Sequence, residues 1–341
     1  MRYILNSSRE NRVVEGYLWR LSFFFVFCLL SIAPLSVSQG IAQDYPAKAL
    51  RIIVPFAPGG GNDILARRLA QVLTAPLGQP VVVDNRPGAS SIIGTELVAK
   101  APPDGYTLLM GNNGALTINP SAFRELPYDP VKDFAPITLL GSAPLTLLVH
   151  PSVPARSVTE LIALAKARPG QLNFGSAGIG IVTHLAAEML KSMAKIEMTA
   201  IPYKGVGVAM NDLISGQIEM IFTGMLAALP VVRSGRLRIL AITGAERSTV
   251  LPDVPTVAES GFPGYEATVW YSILAPARTH QEIIKRLNVE FVKALKNPKV
   301  RDSLLLDGAQ VIGSSPEALS AVIRSDLAKW ARVIKEAGLT P

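Results

Sequence analysis

Three consecutive glycines, Gly59 to Gly61, follow the apolar run VPF at 54–56 and precede the helix-like stretch NDILAR at 62–67. A turn of this kind presents backbone N–H groups at a helix N-terminus, where the helix dipole also favours an anion. Both Asn62 and Asp63 are good N-cap residues, and we expect Asp63 to cap the helix rather than to contact an anionic ligand. The turn therefore predicts an anion site, and a strand–helix turn without a ligand is the alternative.

The same turn does not have the residues that bind nucleotide phosphates. A Walker loop needs a Lys followed by Ser or Thr, and residues 60–65, which follow Gly59, contain no Lys. The dinucleotide-binding fingerprint needs a third glycine at the position that Ile64 occupies. Both comparisons argue against a nucleotide and leave a small organic anion as the expected ligand.

Two further strand–glycine–helix junctions occur later in the chain. The stretch NFGSAGIGIVTHLAAEML at 173–190 predicts a strand, a glycine-rich turn and a helix that begins near Val182 or Thr183. The stretch PYKGVGVAMNDL at 202–213 has the same form, with Gly205 before the helix. Carboxylates are planar anions that suit paired N–H and hydroxyl donors. We therefore expect the three junctions to converge on one cleft that binds a carboxylate.

The sequence contains no recognisable catalytic or metal-binding motif. It lacks G-x-S-x-G, H-E-x-x-H and C-x-x-C, and His150, His184 and His280 are spaced too widely to indicate a metal cluster. We expect His184 to be a capping or cleft-wall side chain, and Trp270 and Tyr271 to pack in a core or hinge. We therefore assign no catalytic residue, metal or cofactor, and we expect that the protein is not an enzyme.

Apolar, β-prone segments alternate with amphipathic helical segments along the chain. The predicted strands are 50–56, 80–85, 106–111, 137–140, 145–150, 172–176, 198–203, 218–224, 237–244 and 270–276. The predicted helices are 63–76, 91–100, 157–168, 182–193, 206–215 and 280–296. Continuous apolar strands that alternate with helices are typical of parallel sheets covered on both faces, which is the α/β class.

Two Pro-rich stretches without periodicity, 119–138 and 246–266, predict surface loops on either side of the middle of the chain. We place the chain crossings between two lobes near residues 143 and 266. Residues 43–143 and 266–341 then form lobe 1, and residues 144–265 form lobe 2. Two α/β lobes joined by crossing strands leave a cleft between them, where strand ends and helix N-termini converge.

The first 42 residues have a composition of their own. Four arginines precede the apolar run LSFFFVFCLLSIAPL at 21–35, and small residues around Gly40 and Ala42 follow it. This order predicts a secretory signal peptide cut after Ala42. An uncleaved membrane anchor is the alternative, but the apolar run is shorter than the roughly 20 residues that a spanning helix needs.

Removal of that segment changes what the composition indicates. The single cysteine, Cys28, falls inside it, so the mature chain has none, which fits a periplasmic protein without disulfides. Without its four basic and two acidic residues, the 33 basic residues become 29 and the 26 acidic residues become 24, which gives a net charge of +5. The basic residues form no block, so we expect no nucleic-acid partner.

The ordered motifs of the mature chain resemble those of one known family. From Tyr45 onward the sequence is similar to the periplasmic solute-binding proteins of tripartite tricarboxylate transporters, also called the Bordetella uptake gene (Bug) or TctC-like family. The motifs that carry the resemblance are YPAKALRIIVPFAPGGGNDILAR, VVVDNRPGASSIIG, PPDGYTLLMG, LPYDPVKDFAPI, FGSAGIG, HLAAEML, IPYKG, GRLRILAIT, LPDVPTVAESGFPGYE and WYSILAPA.

The resemblance implies a two-lobed, Venus-flytrap binding protein of the type II-like kind, which closes over an organic acid by a hinge motion. It implies that the protein works in the periplasm and delivers its ligand to a membrane permease with a large and a small subunit. By analogy with solute-binding proteins we expect a monomer. A periplasmic sensor that acts with a membrane two-component kinase is the alternative function, and an enzyme that turns over an organic acid is a third hypothesis.

The resemblance also implies that loops supply the ligand contacts, largely through backbone N–H groups. The expected ligand-binding residues in lobe 1 are Pro58, Gly59, Gly60, Gly61, Asn62, Asn112, Asn113 and Thr117. Those in lobe 2 are Ser176, Ala177, Gly178, Gly180, Thr183, His184, Tyr203, Lys204, Gly205 and Thr223. Asn112 and Asn113 stand where the family often has small hydroxyl residues, so the identity of the ligand does not transfer from relatives.

Overall fold

The computed structural model describes residues 45–336, and the predicted signal peptide at 1–42 lies outside the described residues. The strands are β1 (Leu50–Val54), β2 (Val81–Asn85), β3 (Thr107–Asn112), β4 (Phe134–Val149), β5 (Asn173–Ser176), β6 (Thr199–Pro202), β7 (Met220–Gly224), β8 (Arg238–Ile242), β9 (Thr268–Pro276) and β10 (Gln310–Val311).

Helices follow most of the strands. They are α1 (Gly61–Leu77), α2 (Ile92–Ala99), α3 (Asn119–Ala122), α4 (Val158–Ala167), α5 (Val182–Ala194), α6 (Val206–Ile214), α7 (Met225–Arg233), α8 (Gln281–Leu295), α9 (Pro298–Leu306) and α10 (Pro316–Glu336). All six predicted helices are confirmed, whereas α3, α7, α9 and α10 were not predicted. The loop predicted at 119–138 is wrong at both ends, where α3 and the start of β4 lie.

The strands form a sheet with the order β2-β1-β3-β9-β4-β7-β5-β6, and β8 and β10 also pair with β4. Strand β1 is parallel to β2 and β3, and β5 is parallel to β6 and β7. The central strands β9 and β4 instead pair antiparallel with each other and with their neighbours. The fold is α/β as predicted, but the expected all-parallel sheet is wrong because two antiparallel strands join its halves.

Strand β4 connects the two halves of the sheet. Its first part pairs with β9 as far as the Pro144–Thr268 pair. From Leu145 to Val149 it pairs with β7, and from Thr146 to Val149 also with β8. Sequence analysis predicts two strands here, because Gly141 and Pro144 interrupt the apolar pattern; the structure shows one strand with register shifts beside β9.

Each half of the sheet has its own hydrophobic cluster. One cluster contains Ile53 of β1, Leu109 of β3 and Trp270 of β9, packed against Leu319 and Ile323 of α10. The other is formed by buried residues of β4, α6, β7, α7 and the turns before β7 and β8, namely Leu148, Ala209, Met210, Leu213, Ile218, Ile221, Ala228 and Leu237. Two clusters on two sheet halves are what a two-lobed protein requires.

Candidate ligand cleft

The N-terminal ends of α1, α5, α6 and α7 meet where the two halves of the sheet join. The cavity there has a volume of about 60 Å³, counted as the space open to the centre of a water molecule. On the same measure, one buried water needs roughly 10–15 Å³. The cavity is therefore large enough for a small polar group. It is lined by Phe56, Gly60, Gly61, Asn62, Asn112, Leu145, Ala177, Ile181, Val182, Thr183, Val206, Thr223, Gly224, Val269 and Tyr271.

The predicted ligand-binding residues fall into two groups. Those that line the cavity are Gly60, Gly61, Asn62, Asn112, Ala177, Thr183 and Thr223. Those that lie outside its lining are Pro58, Gly59, Asn113, Thr117, Ser176, Gly178, Gly180, His184, Tyr203, Lys204 and Gly205. Most of the second group support the turns around the cavity through the hydrogen bonds and backbone contacts described below.

Helix α1 begins at the cavity wall without a side-chain cap. Its N-cap is Gly60, in an extended conformation, and no side chain hydrogen-bonds to the cap position. The expectation that Asn62 or Asp63 is the N-cap is wrong, because both residues lie inside the first turn. The N–H groups of a first turn have no partner within the helix, so those of Gly61 and Asn62 are available at the cavity.

Asp63 stabilises the glycine turn from within the helix. Its Oδ2 accepts the N–H of Gly59 at 3.0 Å and Nε of Arg67 at 3.1 Å, and its Oδ1 accepts Nδ2 of Asn85 at 2.9 Å. Burial opposes ionisation, but these hydrogen bonds outweigh it and hold the pKa of Asp63 below its ordinary value. The Asp63 carboxylate is therefore fully engaged by protein groups.

Asn62 is a polar side chain buried at the cavity. Only 7% of its surface is exposed. Its Oδ1 atom is buried and has no hydrogen-bond partner. Buried polar atoms in folded proteins almost always have a partner. The Asn62 amide is therefore a polar group of the cavity wall whose oxygen the protein itself does not satisfy.

Helix α5 begins on the opposite side of the cavity, and it also has no side-chain cap. Its N-cap is Ile181, in an extended conformation. Thr183 Oγ1 accepts the N–H of Ala177 at 3.3 Å, and Ser176 Oγ donates to the carbonyl of Gly178 at 2.9 Å. These bonds fix the glycine turn, and the Thr183 hydroxyl proton remains available as a donor.

His184 lies behind this turn. Its Nδ1 accepts the N–H of Gly180 at 3.2 Å, and its ring stacks on Phe174 with a centroid distance of 5.9 Å. Burial lowers the pKa of His184, with an opposing effect from Glu188. The neutral ring therefore supports the turn from outside the cavity lining.

The third junction contacts the first one directly. The N–H of Ala57 donates to the carbonyl of Lys204 at 3.0 Å. A Cβ added to Gly207 would lie 2.0 Å from the carbonyl oxygen of Pro58. A Cβ added to Gly205 would lie 2.8 Å from the backbone nitrogen of Ala57. Only glycine allows these two turns to approach so closely, so they form a backbone-to-backbone seam beside the cavity.

The end of β3 supplies one amide to the cavity. Asn112 Oδ1 accepts the N–H of Ala115 at 3.0 Å, which leaves its NH₂ group as the remaining polar group. Asn113 Nδ2 instead donates to the carbonyl of Thr268, and Thr117 Oγ1 donates to the carbonyl of Asn113. Asn113 and Thr117 thus hold a single π-helical turn, Gly114–Ile118, in place.

Comparison with known proteins decides the family. The sequence profile of the tripartite tricarboxylate transporter family receptor matches residues 65–339. Protein BugT of Bordetella pertussis (strain Tohama I) is 39% identical over 309 residues, which are 90% of this chain and 95% of BugT. The chain belongs to this receptor family. Its members are solute-binding receptors of the periplasmic binding-protein type.

Two solved structures of similar sequence share the two-lobed fold. R. palustris Rpa4515 with adipate is 37% identical, with a TM-score of 0.84 over 87% of this chain and 100% of that chain. MatC (Rpa3494) from Rhodopseudomonas palustris with bound malate is 32% identical, with a TM-score of 0.81 over 85% of this chain and 100% of that chain. Within residues 45–336, no helix is both long and apolar enough to cross a membrane.

Two residues whose importance the sequence did not indicate lie at the cleft, Tyr271 in its lining and Asp307 behind it. Tyr271 of β9 lines the cavity, and its hydroxyl donates to Asp307 Oδ2 at 2.8 Å. Asp307 Oδ1 accepts the N–H of Leu226 at 2.6 Å. Burial raises the pKa of Asp307 to about 7, although both hydrogen bonds act in the opposite direction. Tyr271 was predicted only as packing, and no local motif marks Asp307.

The cleft combines polar ends with apolar walls. Phe56, Leu145, Ile181, Val206 and Val269 supply apolar surface. Among the lining residues, which all belong to the described part of the chain, no Asp, Glu, Lys, Arg or His occurs. Backbone N–H groups, two amides and hydroxyls are thus the groups that this receptor offers to a ligand.

Proposed function

We propose that this protein binds the carboxylate of a small organic acid in the periplasm and delivers it to a tripartite tricarboxylate transporter. The observation that carries the proposal is that two helices without side-chain caps, α1 at Gly61 and α5 at Val182, begin at opposite sides of one cavity. Two such N-termini provide partial positive charge and free N–H donors from both sides.

The similarity to ligand-bound relatives supports the same class of ligand. The names of two similar structures state bound adipate and bound malate, both of which are small carboxylates. In this chain, a carboxylate at α1 and α5 would have Asn112 and Thr183 as side-chain donors. The apolar wall would cover the carbon skeleton of the acid, which favours small organic acids over inorganic anions.

We propose that the ligand lies between two lobes, residues 43–143 with 266–341 and residues 144–265. The change of β4 pairing from β9 to β7 after Pro144 supports this boundary. The receptor would be exported by a signal peptide cut after Ala42 and would act as a monomer. Its closed form would meet the membrane permease of the transporter.

Calorimetry and thermal unfolding of the mature chain, residues 43–341, test the proposal with a panel of mono-, di- and tricarboxylates. A ligand at about 100-fold excess over Kd stabilises the native state by roughly 2.7 kcal/mol, which raises the unfolding temperature measurably. At least one acid in the panel should bind and raise this temperature. Failure of every acid to bind would refute carboxylate binding.

A substitution at the cavity wall and a matched control locate the site. A Cβ on Gly60 would have no neighbour closer than Val206 Cβ at 4.0 Å, so Gly60→Val can fold but adds two methyl groups beside the cavity. We expect at least a tenfold loss of affinity, since the ligand loses access to the α1 N–H groups. Ala75→Val, at the exposed far end of α1, should bind like wild type. Equal affinity in both variants would contradict the proposed location.

Delivery to the transporter is tested separately in cells. Uptake of the labelled acid should require both this receptor and the permease subunits. Uptake that persists without the receptor would contradict a transport role while leaving ligand binding intact.

A further inference from the structure

The hydroxyl group of Tyr271 lies at the cavity wall between two glycines. A Cβ added to Gly61 would be 2.7 Å from this oxygen, and a Cβ added to Gly224 would be 3.3 Å from it. With a carbon–carbon bond of roughly 1.5 Å, the oxygen is at most about 4.2 Å from the Gly61 Cα. The hydroxyl is therefore adjacent to the α1 N-terminus, where the carboxylate is proposed to bind.

Asp307 accepts the hydrogen bond from this hydroxyl and so fixes the direction of its proton. Asp307 is 1% exposed and lies at the end of α9. One carboxylate oxygen accepts the N–H of Leu226 in the first turn of α7, and the other accepts the Tyr271 hydroxyl. A phenol has a single proton to donate. Because Tyr271 gives its proton to Asp307, its oxygen can only accept a hydrogen bond from the cavity.

A second acceptor without a partner lies in the wall of the same cavity. Asn62 is 93% buried, and its Oδ1 has no hydrogen-bond partner. Asn62 and Tyr271 line the same cavity, beside the α1 N-terminus. A ligand that carries a hydrogen-bond donor next to its carboxylate can therefore supply a partner that the protein does not.

Building on the proposed function, we propose that Tyr271, positioned by Asp307, makes this receptor select 2-hydroxy acids over the corresponding 2-keto and unsubstituted acids. The hydroxyl of such an acid is attached next to the carboxylate and can donate to Tyr271 Oη. A keto group is an acceptor only and meets the lone pairs of Tyr271. An unsubstituted acid leaves the Tyr271 oxygen without a donor.

The probes are three sets of acids with equal carbon skeletons: lactate, pyruvate and propionate; 2-hydroxyglutarate, 2-oxoglutarate and glutarate; mandelate, phenylglyoxylate and phenylacetate. Burial raises the pKa of Asp307 to about 7, so affinities are measured at pH 8.5, where the carboxylate is ionised. In at least one set, the hydroxy acid should bind about tenfold more tightly than its keto and unsubstituted counterparts.

Asp307→Asn reverses the polarity of the Tyr271 hydroxyl. The N–H of Leu226 needs an acceptor, so the oxygen of the new amide takes that bond and its NH₂ group faces Tyr271. Tyr271 then accepts from the amide and turns its own proton to the cavity. The variant should prefer the keto acid over the hydroxy acid by a similar factor, which a purely structural role of Asp307 does not predict.

Tyr271→Phe should bring the hydroxy-to-keto ratio close to one, since it removes the oxygen that accepts the ligand hydroxyl and repels the keto oxygen. Tyr265→Phe is the matched control, because Tyr265 is also buried and donates to a backbone carbonyl, that of Ala186, but does not line the cavity. It should keep the wild-type ratio. Thermal unfolding of each variant verifies that it is folded.

The outcomes separate this inference from the proposed function. If the wider carboxylate panel binds but no hydroxy acid is preferred, or if Asp307→Asn and Tyr271→Phe keep the wild-type ratio, the inference is wrong and carboxylate binding stands. If no acid of either panel binds, both are wrong. A reversed ratio in Asp307→Asn, with an unchanged ratio in Tyr265→Phe, supports the inference.

Discussion

The buried carboxylate of Asp307 should make the stability of this protein depend on pH. In the folded state, burial raises the pKa of Asp307 from 3.8 to about 7. The folded protein therefore holds this proton more tightly than the unfolded chain does. The contribution of Asp307 to stability is complete below pH 4, decreases as the pH rises, and reaches its minimum above pH 7.

The size of the effect follows from the two pKa values. A rise from 3.8 to about 7 corresponds to a loss on the order of 4 kcal/mol at high pH, at about 1.36 kcal/mol for each pH unit between the two values. Most of the loss falls in an accessible range, since the interval from pH 5 to pH 7 accounts for about 3 kcal/mol. Asp307→Asn has no carboxylate to ionise and should not show this loss.

Urea unfolding of wild type and Asp307→Asn at pH 5, 6, 7 and 8 measures the difference directly. The free energy of unfolding of the variant relative to wild type should increase by about 3 kcal/mol between pH 5 and pH 8, and most of the increase should occur below pH 7. Any constant offset from the new amide cancels in this comparison.

Asp302→Asn is the control, because it makes the same change of side chain at one exposed carboxylate. Its curve should remain parallel to that of wild type. Parallel curves for Asp307→Asn and wild type would refute the reasoning, since they would show that the buried carboxylate ionises as easily in the folded state as in the unfolded chain.

Three further outcomes are expected. Gly207→Ala should reduce ligand affinity at least tenfold in calorimetry and lower the unfolding midpoint without ligand, because its Cβ would lie 2.0 Å from the Pro58 carbonyl oxygen and the two turns of the seam would have to move apart; wild-type affinity would show that the seam is not needed. Lys195→Gly should raise the free energy of unfolding by about 1 kcal/mol in urea titrations. Lys195 ends α5 with a left-handed φ of 52°, which glycine adopts at lower cost. A decrease in the free energy of unfolding would contradict this. The preference for hydroxy over keto acids should weaken as the pH falls below about 7, because a protonated Asp307 can donate to Tyr271. Tyr271 is the only titratable hydrogen-bond partner of Asp307 among the described residues. A preference that does not depend on pH would contradict this link.

The sequence was sufficient to predict where the helices of the cleft begin. Glycines before α1, α5 and α6 mark positions where the chain turns sharply, and their positions do not depend on tertiary contacts. The prediction failed at the cap of α1, where Gly60 takes the N-cap position and Asp63 lies three residues further on. Local preference favours Asp as a cap, but here the Arg67 and Asn85 side chains hold its carboxylate at another place.

Features that depend on distant parts of the chain were not predictable from local pattern. Tyr271 and Asp307 are 36 positions apart and meet only because β9 and the end of α9 pack together. The antiparallel strands β4 and β9 have the same continuous apolar sequence that parallel strands have, so their direction does not show in their composition. The apolar half of the cleft, including Leu145 and Val269, is similarly indistinguishable from core sequence.

In the proposed cleft, one set of groups binds the carboxylate and another set discriminates between acids. In the proposed function, backbone N–H groups at Gly61 and Val182 bind the carboxylate; they are the same for every acid, so they do not distinguish one acid from another. Discrimination must come from side chains that reach the same space, and among the described lining residues these are neutral: Asn62, Asn112 and Tyr271 together with two threonines. A neutral group discriminates by whether it donates or accepts, not by charge. Asp307 fixes that choice for Tyr271 from outside the cleft, which is why a residue that touches no ligand is expected to control selectivity.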